Sequence, residues 1–395
     1  YYLSNLIHVF ASVDCKRLTV EQWANNVLNP FEHGYDGDQI CDNLKFYAYL
    51  NQRKKSNKSI SLKNATTGDL IIDDKENANL FNEVFSAVFQ TGPEVDKEYL
   101  PTIFNDIEHE KLESVTFPQE TVYKKLIDLK PHSAPGADNI TPLFLKACAT
   151  EVSLPLSLIF EKSMEEGRLP PIWKKTNITP IHKGGRQEIP ENYRPINVSS
   201  IPCKVKESII KDALLLHLTQ NELLLSSQHG FVPGRSCTTN LLMYLNEVTT
   251  ALDAGIPYDV ILLDFRRAFD VVPFEHMLSH LEAHGVGVQL LAWMRNWTEQ
   301  RKQRVVLNGH CSDWADVISS VVQGSVLGPI LFIIFINSMD FAIKDPNTNI
   351  FKYADDSKIG RHIRNEADAK TLQASLDEVC KWAEKSGMQL HQIGR

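Results

Sequence analysis

The chain has 395 residues, of which 43% are hydrophobic and 23% are charged, and its formal net charge at pH 7 is −8. This length allows one large or two ordinary domains, and the composition is typical of a globular protein. No segment approaches 18 uninterrupted apolar residues, which argues against a membrane span. Seven scattered cysteines include no Cys-x-x-Cys pair, which argues against structural zinc and favours a reducing compartment.

The acidic balance is unfavourable for nucleic-acid binding, but charge is unevenly distributed along the chain. Residues 170–240 contain nine Lys or Arg against five Asp or Glu, a local net charge of +4 (9 − 5). This surplus is compatible with a basic groove on an acidic body, with weak affinity at physiological salt. The chain also begins with Tyr1 rather than Met, which indicates a fragment.

The N-terminal half has a mainly helical pattern after about 40 residues that carry no usable signal. Acidic residues precede a helix over 75–90, in which Ala78, Phe81 and Phe85 share one face. Two short extended pieces, 179–183 and 192–198, flank a loop rich in glycine and charge. Further helices are predicted over 116–129, 141–150, 154–166, 205–225 and 238–252.

The C-terminal half alternates strands and helices. A buried-strand pattern over 258–264 ends in an acid, and the order after it is two helices, a hairpin, a buried helix, a second hairpin and a last helix. This order predicts an α+β body with a small, mostly antiparallel sheet. The segments after the strand are 275–284, 288–301, 304–321, 330–341, 349–359 and 366–385.

Two adjacent acids, Asp355 and Asp356, interrupt the apolar and aromatic pattern of the second hairpin. Two adjacent aspartates more often form an ordinary polar turn, and the pair alone does not favour a metal site over such a turn. Adjacent carboxylates repel one another, however, and a divalent cation between them and a third acid relieves the repulsion. Mg²⁺ suits such a site because it takes one or two carboxylates and substrate phosphates.

Asp264 is the candidate third acid. It ends a strand pattern 91 positions before Asp355 (355 − 264), so a strand end and a hairpin tip can converge. Carboxylates placed in this way can hold two metal ions that clamp the attacking and leaving oxygens of a phosphoryl transfer. The hypothesis requires Asp264 and the 355–356 bend to be neighbours in space.

When the two acid sites and the segments between them are considered together, the chain resembles the reverse transcriptase of non-LTR (LINE-type) retrotransposons. Six blocks match in order, which is far more specific than any single motif. Residues 63–89 resemble the segment that precedes the polymerase in these elements, and the likeness covers roughly residues 45–390. The blocks are SAPGADNI at 133–140, ENYRPI at 191–196, SSQHGFVPGRSC at 226–237, LLDFRRAFDVV at 262–272, QGSVLGPILF at 323–332 and YADD at 353–356.

The resemblance implies a right-hand polymerase fold, with a small antiparallel palm sheet packed on helices and a mostly helical segment before it. Residues 1–95 would form a partly helical N-terminal extension, and residues 96–395 the reverse transcriptase domain. Within that domain, the fingers would lie mainly in 115–250, and the palm around 256–275 and 323–390.

The resemblance also assigns site residues by position. Asp264 and Asp355 would bind two Mg²⁺ ions, or Mn²⁺, with Asp356 supporting them and the backbone carbonyl of Phe265 completing one site. A second set would contact nucleotide and nucleic acid. Lys183 and Arg194 would clamp the triphosphate, Phe269 would exclude a 2′-hydroxyl, Gln323 and Gly324 would line the nucleotide pocket, and Tyr353, Gly234 and Arg235 would lie against primer or template.

The implied reaction is attack of a primer 3′-hydroxyl on the α-phosphate of a dNTP, with pyrophosphate leaving. The partners would be an RNA template, a DNA primer or target DNA, and dNTPs, with no membrane involved. The resemblance also implies that the activity takes place in the nucleus. The oligomeric state is left open. Two alternatives also remain: a non-catalytic nucleic-acid-binding remnant, and the intron-encoded maturase type of reverse transcriptase.

The chain departs from the family pattern in several places. Ser320-Val321-Val322 stands where the family has Gly-Val-Pro, and Arg266-Arg267 stands where it usually has Ser-Lys. After Met388 the family's Asn-Pro-x-Lys segment is replaced by His391-Gln-Ile-Gly-Arg. We expect the thumb and the upstream endonuclease to be missing, and primer extension by this chain to be weak or undetectable.

Overall fold

The computed structural model describes residues 60–63, 68–96, 100, 104, 109–321 and 324–391. The first 40 residues, which carry no sequence pattern, and Gln323, predicted in the nucleotide pocket, lie outside the described residues. None of the described helices combines the length and apolar character needed to cross a bilayer.

Helices dominate the described chain and follow the predicted order. The predicted helix over 366–385 has the same bounds in the structure, whereas the predicted buried helix over 330–341 is two helices, with Asn337 ending the first. The helices are α1 (Asp74–Ser86), α2 (Gln119–Ile127), α3 (Pro142–Ala147), α4 (Ala149–Glu165), α5 (Ile201–Gln220), α6 (Cys237–Asp253), α7 (Ala268–Val271), α8 (Phe274–Ala283), α9 (Val288–Thr298), α10 (Gly328–Ile336), α11 (Met339–Ala342) and α12 (Glu366–Lys385).

Within the described residues, eight strands form two sheets. The large sheet has the order β2-β1-β4-β5 with β6 also on β4, and its β1–β4 pair is parallel. The small sheet has the order β3-β8-β7 and is antiparallel throughout. Helices and small sheets in one body confirm the predicted α+β class. The strands are β1 (Lys175–His182), β2 (Tyr193–Val198), β3 (Tyr258–Leu263), β4 (Arg301–Leu307), β5 (His310–Cys311), β6 (Ala315–Val317), β7 (Asn349–Tyr353) and β8 (Asp356–His362).

The main core is built around α10. Its sequence GPILFIIFI is apolar on every side, and a helix of that kind is stable only when it is buried all round. Phe335 and Trp382 of α12 lie 6.1 Å apart between ring centroids, and the indole of Trp382 donates to Ser338 at 2.9 Å. The helices behind the small sheet are therefore packed together as one unit.

Helix α1 packs on one face of the large sheet. Asp73 caps it by accepting from the Glu76 N–H at 2.8 Å, and its predicted apolar face, with Phe81 and Phe85, is buried. Phe81 meets Tyr193 of β2 edge-on, with ring centroids 4.8 Å apart. This second core joins α1 to the large sheet, and the proposed domain division at residue 95 stays a prediction.

A buried lysine on α5 contributes to the pH dependence of stability. Lys206 is fully buried, donates to the Phe160 carbonyl at 2.9 Å, and lies 4.8 Å from the Trp293 ring centroid. Burial lowers its pKa to about 7, although Cys203 and Glu161 oppose the shift. Between pH 7 and the ordinary lysine pKa, the unfolded chain therefore binds a proton that the native chain does not.

We expect this group to make the free energy of unfolding rise with pH above 7, by about 1.4 kcal/mol per pH unit from one proton. Lys206→Met should remove that component. The free energy of unfolding of the variant, relative to that of the wild type, should therefore increase as the pH falls from 10 to 7. Denaturant titrations at pH 7, 8, 9 and 10 measure it. Lys211→Met on the same helix is the control, and an equal change there would contradict the assignment.

Ser320 adopts a backbone conformation that favours glycine, with φ at 115°. It is buried, and its N–H donates to the Val272 carbonyl at 3.1 Å. Ser320→Gly should relieve the strain and raise the free energy of unfolding by about 1 kcal/mol. Ser320→Ala keeps the strain and should give no gain in the same thermal-unfolding series; a gain from alanine would show that the hydroxyl, not the backbone, is responsible.

Candidate active site

The paired acids lie on a two-residue turn between β7 and β8. Tyr353 pairs with Asp356 across the hairpin, which leaves Ala354 and Asp355 at the tip. Ala354 has φ of 57°, the positive value that tight hairpin turns require. The predicted hairpin is therefore present, with Asp355 at its tip, half-buried, and Asp356 exposed on the first residue of β8.

Asp264 follows directly after β3, which is the neighbour of β8. The β3–β8 register pairs Leu263 with Ser357, so the acid that follows Leu263 lies beside the hairpin tip. Asp264 and Asp355 line one cleft of about 500 Å³. The structure thus brings together the two aspartates that are 91 positions apart in the sequence (355 − 264).

The electrostatics of the tip reflect this proximity. Burial raises the pKa of Asp355, and the nearby carboxylates of Asp356 and Asp264 raise it further, while the guanidinium of Arg194 lowers it. Each of these groups is therefore close enough to Asp355 to interact with it. The like-charge repulsion at this tip is of the kind that a bound cation relieves.

The donor set fits a divalent cation that takes few protein ligands. Within the described part of the chain, no three His, Cys, Asp or Glu side chains form a ready-made metal-binding group. Two carboxylates facing one open cleft nevertheless match Mg²⁺, which usually takes one or two carboxylates and completes its shell with water and substrate phosphates. The backbone carbonyl of Asp264 accepts from the His391 N–H at 2.7 Å. This bond does not involve the neighbouring carbonyl of Phe265, which is the predicted backbone ligand.

Three predicted nucleotide contacts lie in the same cleft. Lys183 and Arg194, from the ends of β1 and β2, line it together with Phe269. The Phe269 ring stacks on Phe332 with centroids 4.1 Å apart and meets Phe231 edge-on at 6.2 Å. A cleft lined by carboxylates and by the cations Lys183, Arg194 and Arg267 is suited to a polyphosphate that carries its own metal ion.

Gly324 also borders the strand that carries Arg194. Its φ is 102°, and a Cβ there would lie 2.8 Å from the carbonyl oxygen of Asn197 in β2. A side chain at this position would therefore displace the loop from the sheet.

This geometry agrees with the comparison against protein families. The model of the reverse transcriptase (RNA-dependent DNA polymerase) family matches residues 175–392, more than half of the chain. The chain belongs to the reverse transcriptase family. The matched residues include all strands from β1 to β8 and helix α12. They also include every described residue that lines the cleft, except Phe85 of α1 and Val88 after it.

Similar proteins are transposon polymerases. The chain is 28% identical over 278 residues to a probable RNA-directed DNA polymerase from transposon BS of Drosophila melanogaster, which covers 67% of this chain and 30% of that protein. It is 27% identical over 263 residues to the corresponding protein of transposon X-element (64% and 28%). Identity to the polymerase of mobile element jockey, also from this fly, is 26% over 279 residues (69% and 30%).

The chain therefore spans about 30% of the length of these relatives. The names confirm the resemblance to a LINE-type retrotransposon reverse transcriptase that the six sequence blocks indicated.

Several residues of this reverse transcriptase cleft were not found from the sequence. Phe85 of α1 and Val88 beyond it line the cleft, although they precede the family match. Asp270 lines it as well, and burial raises its pKa to about 6, against the opposing charges of Arg267 and Lys183. The sequence signal for Asp270 was its place beside Phe269 in the block at 262–272 that contains Asp264.

Gln228 was missed as well, and it holds the β7–β8 turn directly. Its side-chain oxygen accepts from the N–H groups of Ala354 at 2.9 Å and Gly230 at 2.8 Å. Its side-chain nitrogen donates to the Ala354 carbonyl at 3.3 Å. Gly230 makes the close approach possible, since a Cβ there would lie 2.2 Å from the Ala354 nitrogen. The sequence places Gln228 in the matching block at 226–237, but its burial depends on the distant turn.

The strand before the turn is held from the same loop. Lys352 is fully buried and paired with Asp340, and its backbone N–H donates to the Ser227 carbonyl at 2.8 Å. The Asn240 amide donates to the Lys352 carbonyl at 3.1 Å. The loop at 226–237 therefore extends the edge of the small sheet and supports the turn that carries Asp355.

The residues predicted to contact nucleic acid lie in this loop or next to it. The guanidinium of Arg235 donates to the carbonyls of Leu225 at 2.5 Å and Gln228 at 2.6 Å, and so holds the loop itself. Gly234 is exposed with φ of 76°, and Tyr353 is 38% exposed at the end of β7. Their roles against template or primer stay predictions.

Removing the Gln228 side-chain amide should loosen the turn. Gln228→Met has a similar volume but leaves the N–H groups of Ala354 and Gly230 without their acceptor, so the free energy of unfolding should fall by about 2–4 kcal/mol. Amide hydrogen exchange at Ala354 should accelerate more than exchange in α12. Gln220→Met, at the exposed end of α5, is the matched control, and unchanged exchange at Ala354 in Gln228→Met would contradict the clamp.

Proposed function

We propose that this chain carries the catalytic centre of an RNA-directed DNA polymerase of a non-LTR retrotransposon. The observation that supports it most is the convergence of Asp264, Asp355, Lys183, Arg194 and Phe269 on one cleft. Carboxylates, cations and an aromatic ring are the groups that a metal-assisted transfer of a nucleotide requires.

In this proposal the large sheet belongs to the fingers and the small sheet to the palm of a right-hand polymerase. The β7–β8 turn and the end of β3 would form the floor of the palm. Lys183 and Arg194 approach from the large sheet across the cleft, as fingers residues would. The contact of α1 with the large sheet would make the N-terminal segment part of the fingers.

Two divalent cations, Mg²⁺ with Mn²⁺ as a substitute, would be held by Asp264 and Asp355, the carbonyl of Phe265 and the supporting carboxylate of Asp356. When bound, such ions supply charge neutralisation and align the attacking and leaving oxygens. Lys183 and Arg194 would bind the triphosphate, for which a guanidinium offers paired donors. Gln323 and Gly324 would border the base.

Phe269 would select deoxyribose. Its ring is fixed by stacking on Phe332 and by the edge contact with Phe231, so it cannot move aside for a 2′-hydroxyl without disturbing both. The backbone behind it is fixed as well, because its carbonyl accepts from the Val321 N–H at 2.7 Å. A rigid aromatic side chain at this place would exclude ribonucleotides by contact alone.

The partners in this proposal are an RNA template, a DNA primer or target DNA, and dNTPs, with Tyr353, Gly234 and Arg235 near the nucleic acid. Synthesis primed at chromosomal DNA would take place in the nucleus. The second candidate is a remnant that binds nucleic acid without catalysis. Ser320 favours it, since serine occupies a strained conformation beside Phe269 where the family pattern has glycine.

The central test is primer extension on a primed RNA template with Mg²⁺. Asp355→Asn and Asp264→Asn should each lower the rate at least about 100-fold, because the charge stabilisation they support is several kcal/mol. Asp259→Asn, which changes an exposed acid on the strand that precedes Asp264, should leave the rate unchanged. Equal losses in all three variants would contradict the assignment of the two aspartates.

Nucleotide binding separates the two candidates even where extension is slow. A polymerase should show Mg²⁺-dependent protection of residues 183–194 from hydrogen exchange when a dNTP is added, and Asp355→Asn should reduce it. A remnant should show no such protection. The Phe269→Val variant completes the series, since it should admit ribonucleotides if the ring excludes them.

A further inference from the structure

A buried carboxylate in α5 lies behind the candidate active site. Glu207 is fully buried and is not among the described residues that line the cleft. Removing a charged group from water is costly unless hydrogen bonds and neighbouring charges compensate it. The groups that contact this carboxylate therefore indicate what its position serves.

Three donors converge on the two oxygens of Glu207. The indole N–H of Trp297 in α9 donates to Oε1 at 2.9 Å, and the thiol of Cys203 donates to the same oxygen at 3.4 Å. The backbone N–H of Val326 donates to Oε2 at 2.9 Å. A carboxylate only accepts hydrogen bonds, whereas a glutamine amide would turn its own N–H groups toward one of these donors. The donor set therefore suits an acid and not an amide.

The bond to Val326 fixes the loop that precedes α10. Gly324, two positions earlier in this loop, lies against β2, where a Cβ would come within 2.8 Å of the Asn197 carbonyl oxygen. The loop is thus held against β2 at Gly324 and against α5 at Val326. Its position depends on both contacts, and Glu207 supplies the second one.

The same carboxylate is linked to the strand that leads to Lys183. The guanidinium of Arg301 in β4 donates to the Trp297 carbonyl at 3.1 Å and to the Thr176 hydroxyl of β1 at 3.3 Å. Strand β1 ends directly before Lys183, which lines the cleft. Buried hydrogen bonds therefore join the loop before α10 to the strand that presents a cation to the cleft.

A purely stabilising role for Glu207 is the simpler reading. The first N–H groups of a helix have no partner within it, and a carboxylate near the start of α10 is favourable there. A short polar side chain in the loop itself would serve this purpose without burying a charge. An acid that reaches the loop from another helix, and that also binds α9, instead fixes the loop relative to the rest of the fold.

We propose that Glu207 is a positioning residue for nucleotide binding, which fixes the loop at 324–327 relative to the strand that leads to Lys183. The inference rests on the proposed polymerase function, in which Gly324 borders the base and Lys183 binds the triphosphate. Glu207 would set the separation between these two sides of the nucleotide site. It acts through the Val326 N–H and through Trp297, and does not itself touch the nucleotide.

Nucleotide affinity can be measured without extension, by titrating dNTP with Mg²⁺ and following the protection of residues 183–194 from hydrogen exchange. Glu207→Met removes the acceptor at similar volume. It should weaken the apparent dNTP affinity about 10-fold, the size expected from one lost hydrogen bond to a charged group. Exchange at Val326 should accelerate in the absence of nucleotide. Affinity for a template–primer, measured by fluorescence anisotropy, should stay unchanged.

A double variant separates positioning from stability. Glu207→Gln with Trp297→Phe leaves one side-chain oxygen for the Val326 N–H and removes the indole donor that would compete for it. This variant should be less stable than the wild type in denaturant, because the bond to α9 is lost, yet it should keep the wild-type dNTP affinity. A role in stability alone predicts that affinity falls in both Glu207 variants.

Glu161→Met in α4 is the matched control. Glu161 also accepts from a backbone N–H, that of Phe117, and is not among the described residues that line the cleft. This variant should lose stability and keep its dNTP affinity. Circular dichroism checks the folding of every variant. If Glu207→Met does not fold, the α-hydroxy acid analogue of valine at position 326 removes the single N–H donor and should weaken dNTP affinity in the same way.

Three outcomes would overturn the positioning role alone: unchanged dNTP affinity in Glu207→Met, an equal loss of affinity in the double variant, or an equal loss in Glu161→Met. A wild type whose residues 183–194 gain no protection from dNTP would instead remove the proposed polymerase function, and this inference with it. The wild-type titration therefore distinguishes the two failures before any variant is compared.

Discussion

The candidate site depends on one antiparallel register, that of β3 with β8. Pairing Leu263 with Ser357 is what sets Asp264 beside the tip that carries Asp355. Side chains alternate between the two faces of a strand, so a slip of one residue would turn the neighbouring side chains to the opposite face and separate the two carboxylates. The register is specified by apolar residues on both strands, including Leu263 and Ile359, which are buried in the main core.

Holding two like charges together costs free energy, and the surrounding loop offsets part of it with polar contacts. Gln228 ties the turn through two hydrogen bonds to Ala354, and the buried pair Lys352–Asp340 fixes the strand before it. A buried ion pair of this kind adds little net stability, but losing either partner would leave an uncompensated charge. The pair links β7 to α11, which carries Asp340.

Much of this could be predicted from sequence, because the decisive elements have strong local signals. The paired acids within an apolar pattern, the acid after a buried strand, and the periodic helix over 366–385 are each visible in a short window. Their meeting in space was predicted from chemistry, since acids at two strand ends have few other reasons to converge. The α+β class followed from the order of elements.

The parts that could not be predicted depend on long-range contacts. Nothing in the local pattern of 74–86 shows that Phe85 reaches the cleft, because an amphipathic helix can dock on any apolar surface. Gln228 and Lys206 are polar residues whose burial is decided by partners more than 40 positions away, Ala354 and Phe160 respectively. Sequence periodicity predicts which face of a helix or strand is buried, but it does not identify the element that packs against that face.

The parallel pairing of β1 with β4 has a consequence for how the chain reaches its native state. Asn177 and Arg304 face each other across 127 positions (304 − 177), and that interval contains β3 and the acid that follows it. Closing so long a loop is entropically costly, and contacts of this kind form late and slowly. We therefore expect the large sheet to be completed only after Arg304 and its neighbours have left the ribosome, which leaves β1 with an unprotected edge during synthesis.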